Sequence, residues 1–297
     1  MKTIIQKTWL ALAVSAALGF APVVAQEFSG VAFEQALRDM LPENLAQSGV
    51  VTVATTAYTP PIVFMGPDNA EIIGLDADIM NAFSTMFGVR FVMTDLTNFA
   101  ALIPALKAGR FDMSISGMGG TVEREKELDM IPYMYDGKTI MVQQGNPLGI
   151  ASMQDLCGRR VAVGVGTAQE ALVQKVSAAC ATPIDLLSIP KQPEVLIAVR
   201  TGRADATVGG YATAVYTTKH QIQNGVGLEA IPEVRQDVGY NTIALAKNSD
   251  QLRDALMAGL QSLIDSGAYA QMLDKWDLGQ LAIPSAKLND AANLPKD

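Results

Sequence analysis

The chain has 297 residues, 49% of them apolar, so it is long enough for two domains and can build real cores. Lys and Arg number 22 against 30 Asp and Glu, a formal charge of −8 that offers no electrostatic basis for holding nucleic acid. One histidine, His220, and two cysteines, Cys157 and Cys180, are too few for the usual zinc sites, and the sequence contains no cofactor motif.

Met1 to Lys7 carries two lysines, Trp9 to Val24 is apolar and small apart from Ser15, and Val23-Val24-Ala25 places small residues before Gln26. This pattern predicts a secretory signal over 1–25, cut after Ala25, and hence a periplasmic protein. The apolar run, about 16 residues, falls short of the roughly 20 that a spanning helix needs. Cleavage leaves 20 basic against 30 acidic residues, a formal charge of −10. In an oxidising compartment Cys157 and Cys180, 23 positions apart, read as a disulfide; two buried thiols are the alternative, and neither reading gives the pair any chemistry.

Strand and helix patterns then alternate. Val50 to Thr55 reads as a buried strand, and Leu75, Ile79, Phe83 and Met86 recur at helical spacing. Phe99, Leu102, Ile103 and Leu106 do the same before Gly109, and Met113 to Ser116 is a short strand. Arg160 to Val165 reads as strand, Gln169 to Ala179 and Val195 to Thr201 as helices, and Ala206 to Gly209 as strand. Leu252, Leu256, Leu260, Leu263, Met272, Leu273 and Trp276 mark helical segments broken near Gly267, and the polar residues after Pro284 are expected to fray. The class is α/β with partly parallel sheets.

Residues 105–117, ALKAGRFDMSISG, align without gaps to 198–210, AVRTGRADATVGG. The shared shape is helix, Gly-Arg turn, Asp, short strand, glycine. Chance recurrence of a common turn is one explanation. The other is two lobes of similar build, each ending a strand at the carboxyl edge where open α/β sheets bind ligands. Directly after the first copy, Ser116-Gly117-Met118-Gly119-Gly120 leads to Thr121 and a helix with Arg124 in its first turn, a setting suited to a carboxylate. Pairing of Arg124 with Glu123 or Asp129 is the plainer alternative. Thr167-Ala168-Gln169-Glu170 forms a second helix start, a capping box that faces the first site or is purely structural. Neither glycine run has the spacing of a nucleotide loop.

These residues carry a resemblance. Leu102 to Asp112, Ser116-Gly117-Met118, Glu123 to Lys126, Asp155 to Val161, Gly166-Thr167 and Ile73 to Asp78 together resemble the periplasmic solute-binding proteins of polar amino-acid ABC importers, family 3, over about Val50 to Gly279. The resemblance implies a two-lobed, type II periplasmic-binding-protein fold, each lobe a mostly parallel sheet flanked by helices, with two crossover hinge strands. It implies an N-terminal helical extension at 26–48, lobe 1 at 49–138 and 238–283, lobe 2 at 139–237 and a flexible tail at 284–297. Hinges are expected near Met134 to Lys138 and Val238 to Thr242. Tyr58 and Phe99 match the family's ligand-packing aromatics, Ser116, Gly117, Gly119 and Arg124 its carboxylate cradle, and Thr167, Ala168 and Gln169 its second-lobe contacts. The expected function is capture of a small carboxylate-bearing solute for an inner-membrane permease by a monomer, without catalysis, cofactor or metal.

Two departures bear on the ligand. Family members that bind α-amino acids carry an acid just before the first aromatic and another at the end of the second repeat; here Thr56 and Gly210 occupy those places, with Tyr211 following. A buried ammonium without a partner is costly. The expectation is therefore a carboxylate whose cation is absent, remote, or held by Tyr58, Phe99 or Tyr211 through cation–π contact. A non-α-amino carboxylate, a quaternary amine and a sensing role are the alternatives. A lyase resembling the cyclohexadienyl dehydratases is a further one, requiring Glu170 or Asp136 in the cleft with a raised pKa.

Overall fold

The computed structural model describes residues 28–220 and 227–294. The expected signal segment at 1–25 lies outside them. Two short helices, α1 (Gln35–Asp39) and α2 (Glu43–Ser48), precede β1 (Val50–Thr55), and β2 (Tyr58–Thr59), β3 (Val63–Met65) and β4 (Ile72–Ile73) form a small antiparallel sheet. Next come α3 (Leu75–Phe87), β5 (Arg90–Asp95), α4 (Leu102–Lys107), β6 (Met113–Gly119) and the single-turn α5 (Val122–Glu125). A long strand, β7 (Leu128–Gln143), leads to β8 (Arg160–Gly164), α6 (Ala168–Ala178), β9 (Asp185–Ile189), α7 (Gln192–Arg200), β10 (Ala206–Gly210) and α8 (Tyr211–His220). A second long strand, β11 (Leu228–Ala246), returns to α9 (Asp250–Asp265) and α10 (Ala268–Lys275).

All large strands join one sheet in the order β5-β1-β6-β11-β7-β10-β8-β9. From one edge a lobe runs β5-β1-β6-β11-β7; from the other its counterpart runs β9-β8-β10-β7-β11. The two lobes share one topology, with β7 and β11 exchanging places. Outer strands pair in parallel, while β7 and β11 run antiparallel through both lobes, with register shifts between Ile231 and Gly239 and again at Asn241/Thr242. This is the two-lobed type II fold.

The internal repeat has a physical basis in this topology. Gly109 and Gly202 follow α4 and α7 with φ of +65° and +73°, a conformation that a Cβ disfavours. The Asp after each turn then makes equivalent bonds in the two copies. Asp112 accepts from the Thr52 N–H at 2.7 Å and Asp205 from the Arg160 N–H at 2.9 Å, while their own N–H groups donate to the Thr52 and Arg160 carbonyls. Each copy thus aligns its strand beside the parallel partner, β1 or β8.

Alternation along the strands explains their unbroken apolar runs. In β8, Val161 and Val163 enter one core with Leu172, Val173 and Ile140, and Ala162 enters another with Val195, Val199 and Met141. In the first lobe, α3 inserts Ile79, Phe83 and Phe87 against Leu256, Leu260 and Leu263 of α9, while Leu102 and Leu106 of α4 cover the opposite face with Met118 and Met130. The helices approach closely at Gly259, where a Cβ would meet the Phe87 ring at 2.9 Å. Cys157 and Cys180 form a disulfide with Cα atoms 5.5 Å apart, closing a loop that in the chain-entropy model contributes roughly 3 kcal/mol to the second lobe.

The flexible tail expected at 284–297 is corrected over 284–294. Asn289 and Met130 exchange hydrogen bonds of 2.8 and 2.9 Å, the Tyr240 hydroxyl donates to Asp290 at 2.7 Å, and the Ala291 N–H donates to Glu125 at 2.9 Å. The polar residues that suggested fraying instead satisfy backbone and hydroxyl groups at the edge of the first lobe, and Asp290 is buried in doing so. At the other end, α1, α2 and the turn between them pack Leu37, Leu45 and Leu41 into the α3/α9 core, with Arg38 donating to the Phe87, Gly88 and Ala46 carbonyls.

Candidate functional site

The carboxyl ends of β6, β8 and β10 open into one cleft, floored by the points where β7 and β11 pass between the lobes. Tyr58, Phe99, Ser116, Gly117, Gly119, Arg124, Thr167, Ala168, Gln169 and Gly210 all line it. Tyr211 is not among the lining residues; its ring lies under Arg235, 4.8 Å from the guanidinium carbon. Residues that the sequence did not mark for ligand binding also line it, including Asp136, Thr207, Thr213, Gly239 and Asn241. Asp136 has a readable signal, as the one acid in the mostly apolar stretch from Met130 to Val142.

The glycine-rich turn does not present the open cradle its sequence suggests. The Gly117 N–H donates to Asp76 at 3.1 Å and the Gly120 N–H to the Tyr240 carbonyl at 2.9 Å. The Ser116 and Thr56 hydroxyls share a bond of 2.6 Å, and the Thr56 N–H also donates to Ser116. The helix after Thr121 is one turn long, too short to project a useful dipole.

Arg124 lines the cleft from the first lobe. It donates to the Gly119 carbonyl at 2.8 Å and, across the cleft, to the Gly166 carbonyl at 3.0 Å, with its guanidinium carbon 5.4 Å from the Phe99 ring centre. Among the described residues no carboxylate pairs with it; Asp129 instead engages Lys247 and Arg253. Burial pulls its pKa below the ordinary arginine value. From the other lobe, the Thr167 hydroxyl donates to the Gly164 carbonyl and accepts the Glu170 N–H. This cap leaves the first N–H groups of the eleven-residue α6, those of Ala168 and Gln169, at the cleft wall.

Asp136 is the acidic counterpart of Arg124: buried, cleft-lining and raised in pKa by burial, against the opposing pull of the Gly137 and Ala212 N–H groups. It meets the condition set for a general acid. Glu170 does not, because its carboxylate accepts the Gly166 N–H and the Ser188 hydroxyl at the surface. Of the three aromatic faces expected to hold a cation, Phe99 is taken by Arg124 and Tyr211 by Arg235, while Tyr58 lines the cleft.

Asp76, fully buried beneath Gly117, accepts the Tyr133 hydroxyl at 2.6 Å, and burial raises its pKa to about 8 despite these bonds. Below about pH 4 folded and unfolded chains both hold this proton; between 4 and 8 the unfolded chain releases it first, so the fold loses stability as pH rises, by up to a few kcal/mol. Denaturant midpoints for wild type and Asp76→Asn should therefore shift in favour of the variant from pH 4 to pH 8 and hold steady above. A difference independent of pH would contradict this assignment.

Comparison with known proteins fits this architecture. Residues 51–280 match the model of the bacterial extracellular solute-binding proteins, family 3. The chain belongs to this family. The arginine-binding protein ArgT of Corynebacterium glutamicum is 27% identical over 86% of this chain and 83% of its own length. Among solved structures, an ancestral arginine-binding protein bound to arginine matches with a TM-score of 0.70 and 30% identity, covering 77% of this chain and 98% of that one. The ancestral amino acid-binding protein AncCDT-1, described as a precursor of cyclohexadienyl dehydratase, matches at 0.69 and 29% identity over 79% and 98%.

Proposed function

We infer that this chain is the substrate-binding component of an ABC importer, taking up a small carboxylate-bearing solute, of the amino-acid class, between its lobes and presenting it to a membrane permease. The observation that carries the carboxylate is Arg124: a half-buried, lobe-bridging guanidinium with no acidic partner among the described residues, lining the same cleft as Ala168 and Gln169 at the start of α6. A planar guanidinium and a helix N-terminus together suit a two-pronged anion. Ligand that bridges Arg124 and α6 holds the lobes closed, and closure, by rotation about 134–138 and 238–242, creates the surface a permease reads. Relatives named as arginine-binding proteins favour an amino acid over the amine-free or quaternary alternatives. We place the mature protein in the periplasm, after removal of 1–25, as a monomer.

Calorimetric titration of the mature protein with the protein L-amino acids, matched amine-free carboxylates and quaternary amines tests this. Micromolar binding of one or a few L-amino acids is expected, with a rise in melting temperature of several degrees at 100 times the Kd. Release of carbon dioxide from prephenate or arogenate would replace the importer reading with a lyase working through Asp136. Binding without turnover supports the importer.

A further inference from the structure

We propose that Asp136 reads a cationic group on the ligand, and that positions 136 and 210 are alternative suppliers of one carboxylate at this point of the cleft. The inference rests on the reading of the cleft as a solute site and names the charge pattern of the solute it takes.

The geometry points to Asp136 from three sides. One carboxylate oxygen, Oδ1, is held by the Gly137 N–H at 2.8 Å and the Ala212 N–H at 3.2 Å, which fix the group on the hinge segment of β7. The other, Oδ2, has among the described residues only the Asn241 amide at 3.4 Å, the long limit of a hydrogen bond. No lysine or arginine among the described residues forms an ion pair with it. Arg235 acts on it by field alone, with its guanidinium over Tyr211.

The third side is steric. A Cβ on Gly210 would stand 3.0 Å from Asp136 Oδ2, so this oxygen fills the space that a side chain at 210 would enter. The family's acid at the end of the second repeat is missing here, and a carboxylate from the hinge strand stands where it would have projected. Glycine at 210 is what leaves the room.

A buried carboxylate without a cation carries a desolvation penalty that a charged partner must offset. The same cleft holds a counterpart, the half-buried Arg124, with no acid paired to it among the described residues. One ligand resolves both: a solute with its anion at Arg124 and α6 and its cation against Asp136. This replaces the expectation, drawn from Thr56 and Gly210 alone, of a ligand whose cation is absent or held by aromatic faces.

Wild type, Asp136→Asn and the double variant Asp136→Ser/Gly210→Asp are titrated calorimetrically with the protein L-amino acids and their deaminated counterparts, each protein first checked by thermal melting. Wild type should bind an amino acid in preference to its deaminated counterpart. Asp136→Asn should lose at least about 100-fold in that affinity, while affinity for the deaminated acid stays within a few-fold. The double variant, which returns the acid from position 210, should recover most of the loss. Unchanged amino-acid affinity in a folded Asp136→Asn, or failure of a folded double variant to improve on it, overturns the proposal while leaving the solute-binding reading intact. Wild type that binds neither series overturns that reading and the proposal with it.

Discussion

Arg124→Ala is expected to weaken carboxylate capture by about 30-fold to several thousand-fold, the range for removing one partner of a desolvated charge pair. The guanidinium donates to two carbonyls, Gly119 and Gly166, which orient it without neutralising it. Its remaining N–H groups are left for a ligand that brings the compensating charge. Because the Gly166 bond crosses the cleft, the variant also loses a contact that favours closure. Without ligand the opposite trend is expected: a half-buried, uncompensated cation is removed, so the apo melting temperature should hold or rise slightly. Arg124→Lys keeps the charge but lacks the planar fork, and should fall between the two. Calorimetry and melting curves check both halves. Ligand affinity equal to wild type would remove Arg124 as the anchor, and a fall of many degrees in the apo melting temperature would make it a structural residue.

Gly74→Ala is expected to cost far more stability than a single added methyl group ordinarily does. The residue precedes α3 with φ of +117° and ψ of −179°, and a Cβ would stand 2.5 Å from the Ile62 carbonyl oxygen and 2.8 Å from the Pro61 oxygen. Backbone atoms cannot swing aside, and these same carbonyls accept the Leu75 and Asp76 N–H groups. The start of α3 must shift, moving Asp76 from beneath Gly117. A loss above about 4 kcal/mol is expected, lowering the melting temperature by roughly 8–16 °C and weakening ligand binding through Gly117. Gly267→Ala provides the control, since φ is +76° there and nothing lies within 4 Å of the new Cβ. It should lose only about 1 kcal/mol, the conformational part alone. Equal effects at the two positions would show that the close approach at Gly74 is relieved.

Local pattern exposes the elements that carry strong periodicity. The strand expected at Val50 to Thr55 has those bounds, and the spacing of Leu75, Ile79, Phe83 and Met86 marks α3 because that face is buried on α9. The helix expected from Phe99 starts instead as a 3-10 turn over Phe99–Ala101, where Asn98 caps the Ala100 N–H. Strands β5 and β9 escape local pattern because, as sheet edges, they carry exposed residues, alternating in β5 and irregular in β9, that dilute the apolar signal. The length of β7 and β11 is equally hidden, since each serves two cores in succession. In the cleft, residue identity is a better guide to location than to role. Ser116, Gly117 and Thr167 line it, yet their polar groups are engaged by Thr56, Asp76 and Gly164. Such diversions depend on partners about 40 to 60 positions away or on a local cap. Asp136 needs the converse knowledge, that β7 crosses the cleft floor beside Gly210.

The threading of β7 and β11 also dictates an order of assembly. Strands β8, β9 and β10 with α6 and α7 lie wholly between the two long strands in the chain, so that lobe can close its core as soon as its own segment and the start of β11 have emerged. The other lobe must wait. Its α3 presents Phe83 and Phe87 to α9, which begins only at Asp250, and its central strand is the last part of β11. During synthesis from the amino end, the first half of the chain therefore stays unfinished, with its apolar helix face uncovered, until α9 has emerged. A chain that ends before α9 would hold one lobe with its core complete and one with the Phe83 and Phe87 face of α3 uncovered, the kind of exposed apolar surface that aggregates.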